Sequence, residues 1–341
     1  RALREHYTLE EFKDALKKVA ERPRYYVLWQ NLLATGVACG AFCILFGCDL
    51  QAALYTAFCA ALGKFVQVRC IHSGINEYVA IAFAALTATV AAYFASFLPT
   101  ATPWHPIIAC ALFLVPGIPI INGLTDLLNT YLISGAAQFL KTALIVGGMT
   151  FGIVFALEIF PVVDFTNLRM LPDSDYLSFA LAAAAGAIGF SILFNLPPRL
   201  LAAVGIGGAI AVCTRNFLVF GLGLSSEFGT FAGATLVSVI AIRAVHWLHT
   251  PMQVLIVPAV IPMVPGVLLY RCIFSMIHIR ELSLGQLLAA IQSGVDAALI
   301  ILGIAVGAAV PHLFAARSFE RKNQAEQERL LNETYRSDIM D

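Results

Sequence analysis

The chain has 341 residues, of which 60% are hydrophobic and 12% charged, with a formal net charge of zero. That balance excludes a soluble globular domain and fits a polytopic membrane protein. Without a basic excess there is no electrostatic footprint for nucleic acid. The eight cysteines (39, 43, 48, 59, 70, 110, 213 and 272) lie nearly all in apolar stretches, with no CxxC pair and no Cys/His zinc spacing. They read as small buried hydrophobes, and neither a metal site nor a cofactor is expected.

The sequence starts at Arg1 with a charged amphipathic stretch and no signal peptide, so a trimmed or incomplete N-terminus is expected. Thr8 to Glu11 has the form of a capping box, with Thr8 as N-cap and Glu11 three residues on. Leu9, Phe12, Leu16 and Val19 then share one helical face, and Pro23 ends the pattern. This predicts a short helix lying on the membrane surface or on the protein.

Ten apolar segments follow, at 27–47, 50–68, 76–98, 105–131, 136–157, 176–195, 198–220, 228–247, 251–279 and 286–312. Each is long enough to cross a hydrocarbon core. Lys and Arg set the orientation. Lys13, Lys17, Lys18, Arg22, Arg24, Lys64, Arg69, Arg199, Arg243 and the tail cations from Arg317 to Arg336 fall on one side of a ten-span path. The opposite connections are poor in positive charge, apart from Arg169 and Arg280. Both termini are therefore expected in the cytoplasm. The tail from Arg317 to Asp341 mixes both signs and reads as a solvated helix.

The two halves resemble each other. Leu33, Ala34, Phe42, Ile44, Leu45 and Phe46 match Leu181, Ala182, Phe190, Ile192, Leu193 and Phe194 at an offset of 148. Thr102-Pro103 matches Thr250-Pro251 at that offset, and Val115-Pro116-Gly117 matches Val264-Pro265-Gly266 at 149. Ordered agreement of this kind points to duplication. A five-span unit repeated in tandem enters the membrane the other way up. The expected fold is therefore all-α: ten transmembrane helices in two inverted five-helix repeats, with helices 4 and 9 broken. Its parts are an N-terminal helix and linker (1–24), a first repeat (25–160), an external linker (161–175), a second repeat (176–312) and a cytoplasmic tail (313–341).

The broken helices carry the candidate chemistry. Pro116 lies eleven residues past His105, and Pro265 fourteen past Pro251. At 1.5 Å per residue both stand about 16–21 Å into a core about 30 Å thick. Each proline removes a backbone donor, and Gly117 and Gly266 allow unusual dihedrals and close approach. Freed carbonyls suit an ammonium, and half-helix N-termini suit a carboxylate. A proline kink relieved by neighbouring helices is the structural alternative. Beyond the first break, Asn122, Thr125, Asp126 and Asn129 share one helical face. Asp126 reads as a proton carrier or amine contact, or as an interfacial cap. Arg271, beside Tyr270 and five residues past Gly266, is placed to meet a carboxylate or Asp296. Asp296, one turn after Gln292, is the clearest intramembrane acid and a candidate proton site. Lys141 and Arg215 read as snorkelling cations. No HExxH, Walker A or GxSxG pattern occurs, so an intramembrane enzyme and a built-in ATPase are disfavoured. Costly buried charges disfavour a plain scaffold.

Taken together these residues resemble the threonine/serine exporter family. The first half has Arg24-Tyr25, Leu45-Phe46-Gly47 and Leu114-Val115-Pro116-Gly117 with Asn122 and Asp126. It is similar to the larger of that family's two membrane components. The second half has Phe194-Asn195, Pro197 to Arg199, Ile261 to Gly266 and Tyr270-Arg271, and is similar to the smaller component. The resemblance implies a fused, ten-span exporter of threonine and serine in the bacterial inner membrane, driven by the proton-motive force. Protons, membrane lipid and the amino acid are then its partners, and a homo-oligomer is compatible with the class. Some two-component members are linked to dicarboxylates, which makes succinate-type export the nearest rival. The family usually carries a soluble domain before span 1, of which only Arg1 to Pro23 would correspond here.

Overall fold

In hydrocarbon each backbone amide and carbonyl needs a partner within the protein, so apolar spans fold as helices. The computed structural model describes residues 8–20, 24–128, 130–160, 176–277, 283–309 and 311, and every regular element among them is helical. The order is α1 (Leu9–Ala20), α2 (Leu28–Leu45), α3 (Leu50–His72), α4 (Glu77–Ala95), α5 (His105–Ala109), α6 (Gly117–Leu128) and α7 (Leu132–Ile159). Then come α8 (Tyr176–Leu193), α9 (Leu201–Asn216), α10 (Ser226–Leu248), α11 (Met252–Val260), α12 (Gly266–Ile277) and α13 (Leu284–Ala309). Eight of these helices are long and apolar enough to cross a membrane, and the bent pair formed by His105–Leu114 and Gly117–Leu128 makes a ninth. The ninth predicted segment corresponds to α11 and α12, each too short to cross alone. The linker at 161–175, Pro23, Asn129, His278, Arg280 and the tail from 312 lie outside the described residues.

The capping box forms as the sequence predicts. Glu11 Oε2 accepts from the Thr8 amide and hydroxyl at 2.8 and 2.9 Å, and the Glu11 amide donates to Thr8 Oγ1 at 3.3 Å. Leu9, Phe12 and Leu16 remain exposed on α1, an apolar stripe suited to a membrane surface. Three later helices stop in one way. Gly47, Gly74 and Asn195 take the left-handed conformation. Behind them the amides of Cys48, Ile75 and Leu196 reach back to the carbonyls of Cys43, Cys70 and Ser191. This is the Schellman stop, and it satisfies carbonyls that the helix end leaves open. It places the end of α3 at His72. Lys64 and Arg69, expected in a connection, therefore stand on the helix itself.

Small residues set the packing. A Cβ on Gly36 would lie 2.8 Å from the Ala57 carbonyl oxygen, and one on Gly40 2.9 Å from that of Ala53, so α2 and α3 touch backbone to backbone. In the second half Gly208 stands in the same relation to the Ala183 oxygen, at 2.9 Å. Further along, Gly148 meets the Tyr78 oxygen and Gly152 the Ala82 oxygen. Gly303 and Gly307 meet those of Glu227 and Phe231. Lipid offers helices no hydrophobic drive to associate, so close approach and dispersion must supply it. Between the halves, Gly189 packs on Ala34 and Ala38 while Gly186 packs on Ala41, so α2 and α8 run antiparallel. Phe42 and Phe190 meet there edge to face, with ring centroids 5.7 Å apart. The core forms two clusters, and each takes residues from the opposite half: Phe190, Ile261 and Val267 in one, Ile121 in the other.

At the α2–α3 corner Asp49 holds the connection 97–104. Its Oδ1 accepts from Thr100 Oγ1 at 2.6 Å and Thr102 Oγ1 at 2.5 Å. Burial alone would raise this carboxyl's pKa, but the two hydroxyls and the Asp49 and Ala101 amides outweigh it and hold it below the ordinary range. A depressed pKa means the contribution to stability is present above the unfolded value, about 3.9, and is lost as pH falls through the folded one. Asp49→Asn should lower the melting temperature in detergent at neutral pH, and its difference from wild type should vanish in acid; a difference independent of pH would rule this out. A second pair of melts tests the packing. Gly152→Leu should destabilise by about 1–3 kcal/mol by overpacking against α4. Gly147→Leu, where a Cβ meets nothing within 4 Å, should melt like wild type.

Candidate functional site

The two Pro-Gly breaks have matching backbones. In the first, α5 tightens into a 3₁₀ turn at Leu112–Leu114, Val115 swings to an extended conformation (φ −59°, ψ 123°), and α6 starts at Gly117. In the second, α11 tightens at Ile261–Met263, Val264 turns out the same way (φ −64°, ψ 128°), and α12 starts at Gly266. The Gly117 amide donates to the Val115 carbonyl at 2.8 Å, and the Gly266 amide to the Val264 carbonyl at 2.8 Å. Pro116 and Pro265 carbonyls accept from Ile120 and Leu269, each at 3.1 Å. These small turns take up carbonyls that the prolines would otherwise leave without partners, although each oxygen keeps a second lone pair.

The breaks face each other reciprocally. A Cβ on Gly117 would meet Ile261 Cγ1 at 3.3 Å, and one on Gly266 would meet Leu112 Cδ2 at 2.9 Å and Val115 Cγ2 at 3.4 Å. Phe42 and Phe190 close the same spot, and the remaining gap is about 10 Å³, the lower limit for one water. A substrate therefore passes between the breaks only if they part.

Pro116 and Gly117 are buried, as is Gly266, and Pro265 is half-buried. Asn122 is half-buried on α6, where Thr125 Oγ1 donates back to the Ile121 carbonyl at 2.8 Å. Asp126 lies two residues before the end of α6 and accepts from Ser134 Oγ at 2.6 Å across the α6–α7 corner. Arg271 is half-buried on α12; Tyr270 belongs to the same helix, but its side chain lies outside the described residues. Asp296 is half-buried in α13. A Cβ on Gly294 would meet Cys272 Sγ at 2.7 Å, which sets the turns carrying Arg271 and Asp296 side by side. Asp126, nine residues past Gly117, and Arg271, five past Gly266, are about 14 and 8 Å along their helices from the breaks.

Two cations acquire a setting that the sequence did not suggest. Lys64 is half-buried within α3; its Nζ donates to Gln67 Oε1 at 2.8 Å and stands 6.0 Å from the Phe113 ring centroid, in the first break. The Arg215 Nε is buried without a hydrogen-bond partner, just ahead of a π-helical turn at Phe217–Gly221. The sequence signal was present in each case: a lone cation fourteen residues past the start of an apolar helix, at Leu50 and at Leu201.

The class follows from this architecture: a multi-pass helical membrane protein whose two halves each carry a helix broken at Pro-Gly. Residues 1–160 match a family described as "Putative threonine/serine exporter", and residues 179–314 match a second one described as "Threonine/Serine exporter, ThrE". The chain belongs to the threonine/serine exporter family, with both of its membrane parts fused in one polypeptide. No solved structure matches it.

The close contact of Gly266 with Leu112 couples the two breaks energetically. Gly266→Ala should lower the melting temperature and slow transport, and Leu112→Ala in the same chain should restore much of both. The coupling should be about 0.5–3 kcal/mol in a double-mutant cycle. Additive effects would mean that the faces do not bear on each other.

Proposed function

We propose that this chain is a secondary exporter of threonine and serine, driven by the proton-motive force across a bacterial inner membrane. Its two five-helix units, 25–160 and 176–312, act as inverted repeats that alternate access around the paired breaks, with both termini in the cytoplasm. The observation that carries this reading is the reciprocal contact of Gly117 with Ile261 and of Gly266 with Leu112, between breaks of matching backbone geometry. The antiparallel packing of α2 on α8 and the repeated glycine–carbonyl contacts support it. Broken helices meeting between repeats are the recurring form of a transport site in this class.

In this reading the substrate passes the two sides in turn. Asn122 and Asp126 meet its ammonium on one side of the breaks, and Arg271 meets its carboxylate on the other. Asp296, level with Arg271, takes the proton. The breaks, closed to about 10 Å³ here, open to let the zwitterion through.

The test is counterflow in proteoliposomes loaded with threonine, with labelled threonine outside and an imposed pH gradient. Uptake should follow the gradient and be blocked by serine but not by succinate. Robust succinate exchange without a threonine signal would replace the reading by dicarboxylate export. Arg271→Ala should abolish counterflow while the protein stays folded, and Asp296→Asn should detach flux from the pH gradient. Normal transport by the first variant removes the clamp, and unchanged pH dependence in the second removes the relay.

A further inference from the structure

An ionised side chain within a span is costly and normally faces a partner or a path. Two cations, Lys64 and Arg215, stand within long apolar helices and against the core beside the breaks. Lys64 stands fourteen residues past Leu50 on α3, and Arg215 fourteen past Leu201 on α9. Both are therefore about 21 Å along their helices. The α2–α3 and α8–α9 pairs are antiparallel, and so are α2 and α8, so α3 and α9 run in opposite directions. The two cations thus lie at matching depths measured from opposite faces.

Their surroundings favour a small anion. Lys64 has Gln67 as its hydrogen-bond partner and the Phe113 ring beside it, and the charge acting on it is another cation, Arg24. Its helix is locked to the first break: a Cβ on the preceding Gly63 would lie 3.4 Å from Phe113 Cζ. The Arg215 Nε is shut away from solvent without an acceptor among the described residues. One turn before it, Ala211 backs onto Gly233, whose Cβ position is 3.2 Å from Met263 Sδ in the second break. The π-helical turn directly after Arg215 is a form of backbone often found at functional sites. The Lys64 ammonium is held at Gln67 and Phe113 instead of reaching along the helix to water, and the Arg215 Nε is enclosed by protein.

We propose that Lys64 and Arg215 are two carboxylate-binding stations on the transport path, one on each side of the paired breaks. Lys64, with Arg24 and Gln67, receives the α-carboxylate of the amino acid on one face. Arg215 holds it on the other, where a guanidinium can grip a carboxylate through two parallel hydrogen bonds. The inference rests on the amino-acid export reading, and it adds residues which that reading did not use.

The experiment is sided counterflow of threonine in oriented proteoliposomes, with KM measured separately at each face. Lys64→Gln should raise KM about tenfold at one face and Arg215→Gln about tenfold at the opposite face, with little change in maximal rate. Lys64→Arg and Arg215→Lys should recover most of the loss. Wild type should be inhibited far more weakly by threonine methyl ester, which keeps the ammonium and hydroxyl but lacks the carboxylate. Where a Gln variant does not fold, Lys64→Met or Arg215→Met, which keeps the apolar stem, takes its place. Unchanged KM at both faces in folded variants overturns the stations alone, and an ester that competes as well as threonine overturns the stations together with the Arg271 clamp. A wild type that transports no threonine overturns the export reading and this inference with it.

Discussion

A backbone group left without a partner in hydrocarbon costs several kcal/mol, and that constraint governs this molecule. Two prolines, Pro116 and Pro265, interrupt apolar helices where the two halves pack on each other. The protein answers in two ways. Each break folds its own carbonyls into a 3₁₀ turn followed by a three-residue turn, so Val115 and Val264 accept from Gly117 and Gly266. Each break is then covered by the other. Gly117 lies against Ile261 and Gly266 against Leu112, so neither irregular backbone meets lipid. A Cβ on Gly266 would press to 2.9 Å from Leu112 Cδ2, so the bare glycine lets the two breaks close on each other.

The same economy of side chains builds the bundle around the breaks. Helices in lipid gain nothing from hiding apolar surface, so they associate where small residues let backbones touch. Gly36 and Gly40 do this for α2 and α3, and Gly148 and Gly152 for α4 and α7. Gly208, Gly303 and Gly307 do it in the second half. The exposed surface is consequently rich in leucine and phenylalanine, as at Leu50, Leu54, Phe58 and Leu181, which face outward. The costly polar groups are drawn inward or to the corners, where Asp49 ties a connection and Asp126 accepts from Ser134.

Closure at the centre shapes the transport reading. A gap of about 10 Å³ between the breaks admits no amino acid, so the proposed path needs the two halves to separate at Phe42, Phe190, Leu112 and Ile261. Contacts of this kind are packed or parted, with little between, which suits a two-state carrier. The cations at Lys64 and Arg215 and the polar face at Asn122 and Asp126 then lie to either side of the seam instead of within it. Charge is thereby spread along the proposed path, and no single point must hold the whole zwitterion.

Much of this was legible in the residues. Apolar runs of span length, the Thr8–Glu11 cap and the two Pro-Gly breaks follow from local rules, because helix caps, proline and hydropathy act over a few residues. The family resemblance rests on the same short motifs. Other features needed the folded chain. Asp126 meets Ser134, eight residues on, only because the α6–α7 corner brings the two together. Lys64 reads as a loop cation until the Schellman stop at Gly74 carries α3 on to His72 and sets it over Phe113. The meeting of Gly117 with Ile261 joins residues 144 positions apart, which no local periodicity encodes. Local backbone chemistry determined where helices start, stop and break. Only tertiary packing, which decides what covers each unsatisfied group, settled which broken ends meet and which cations stand beside them.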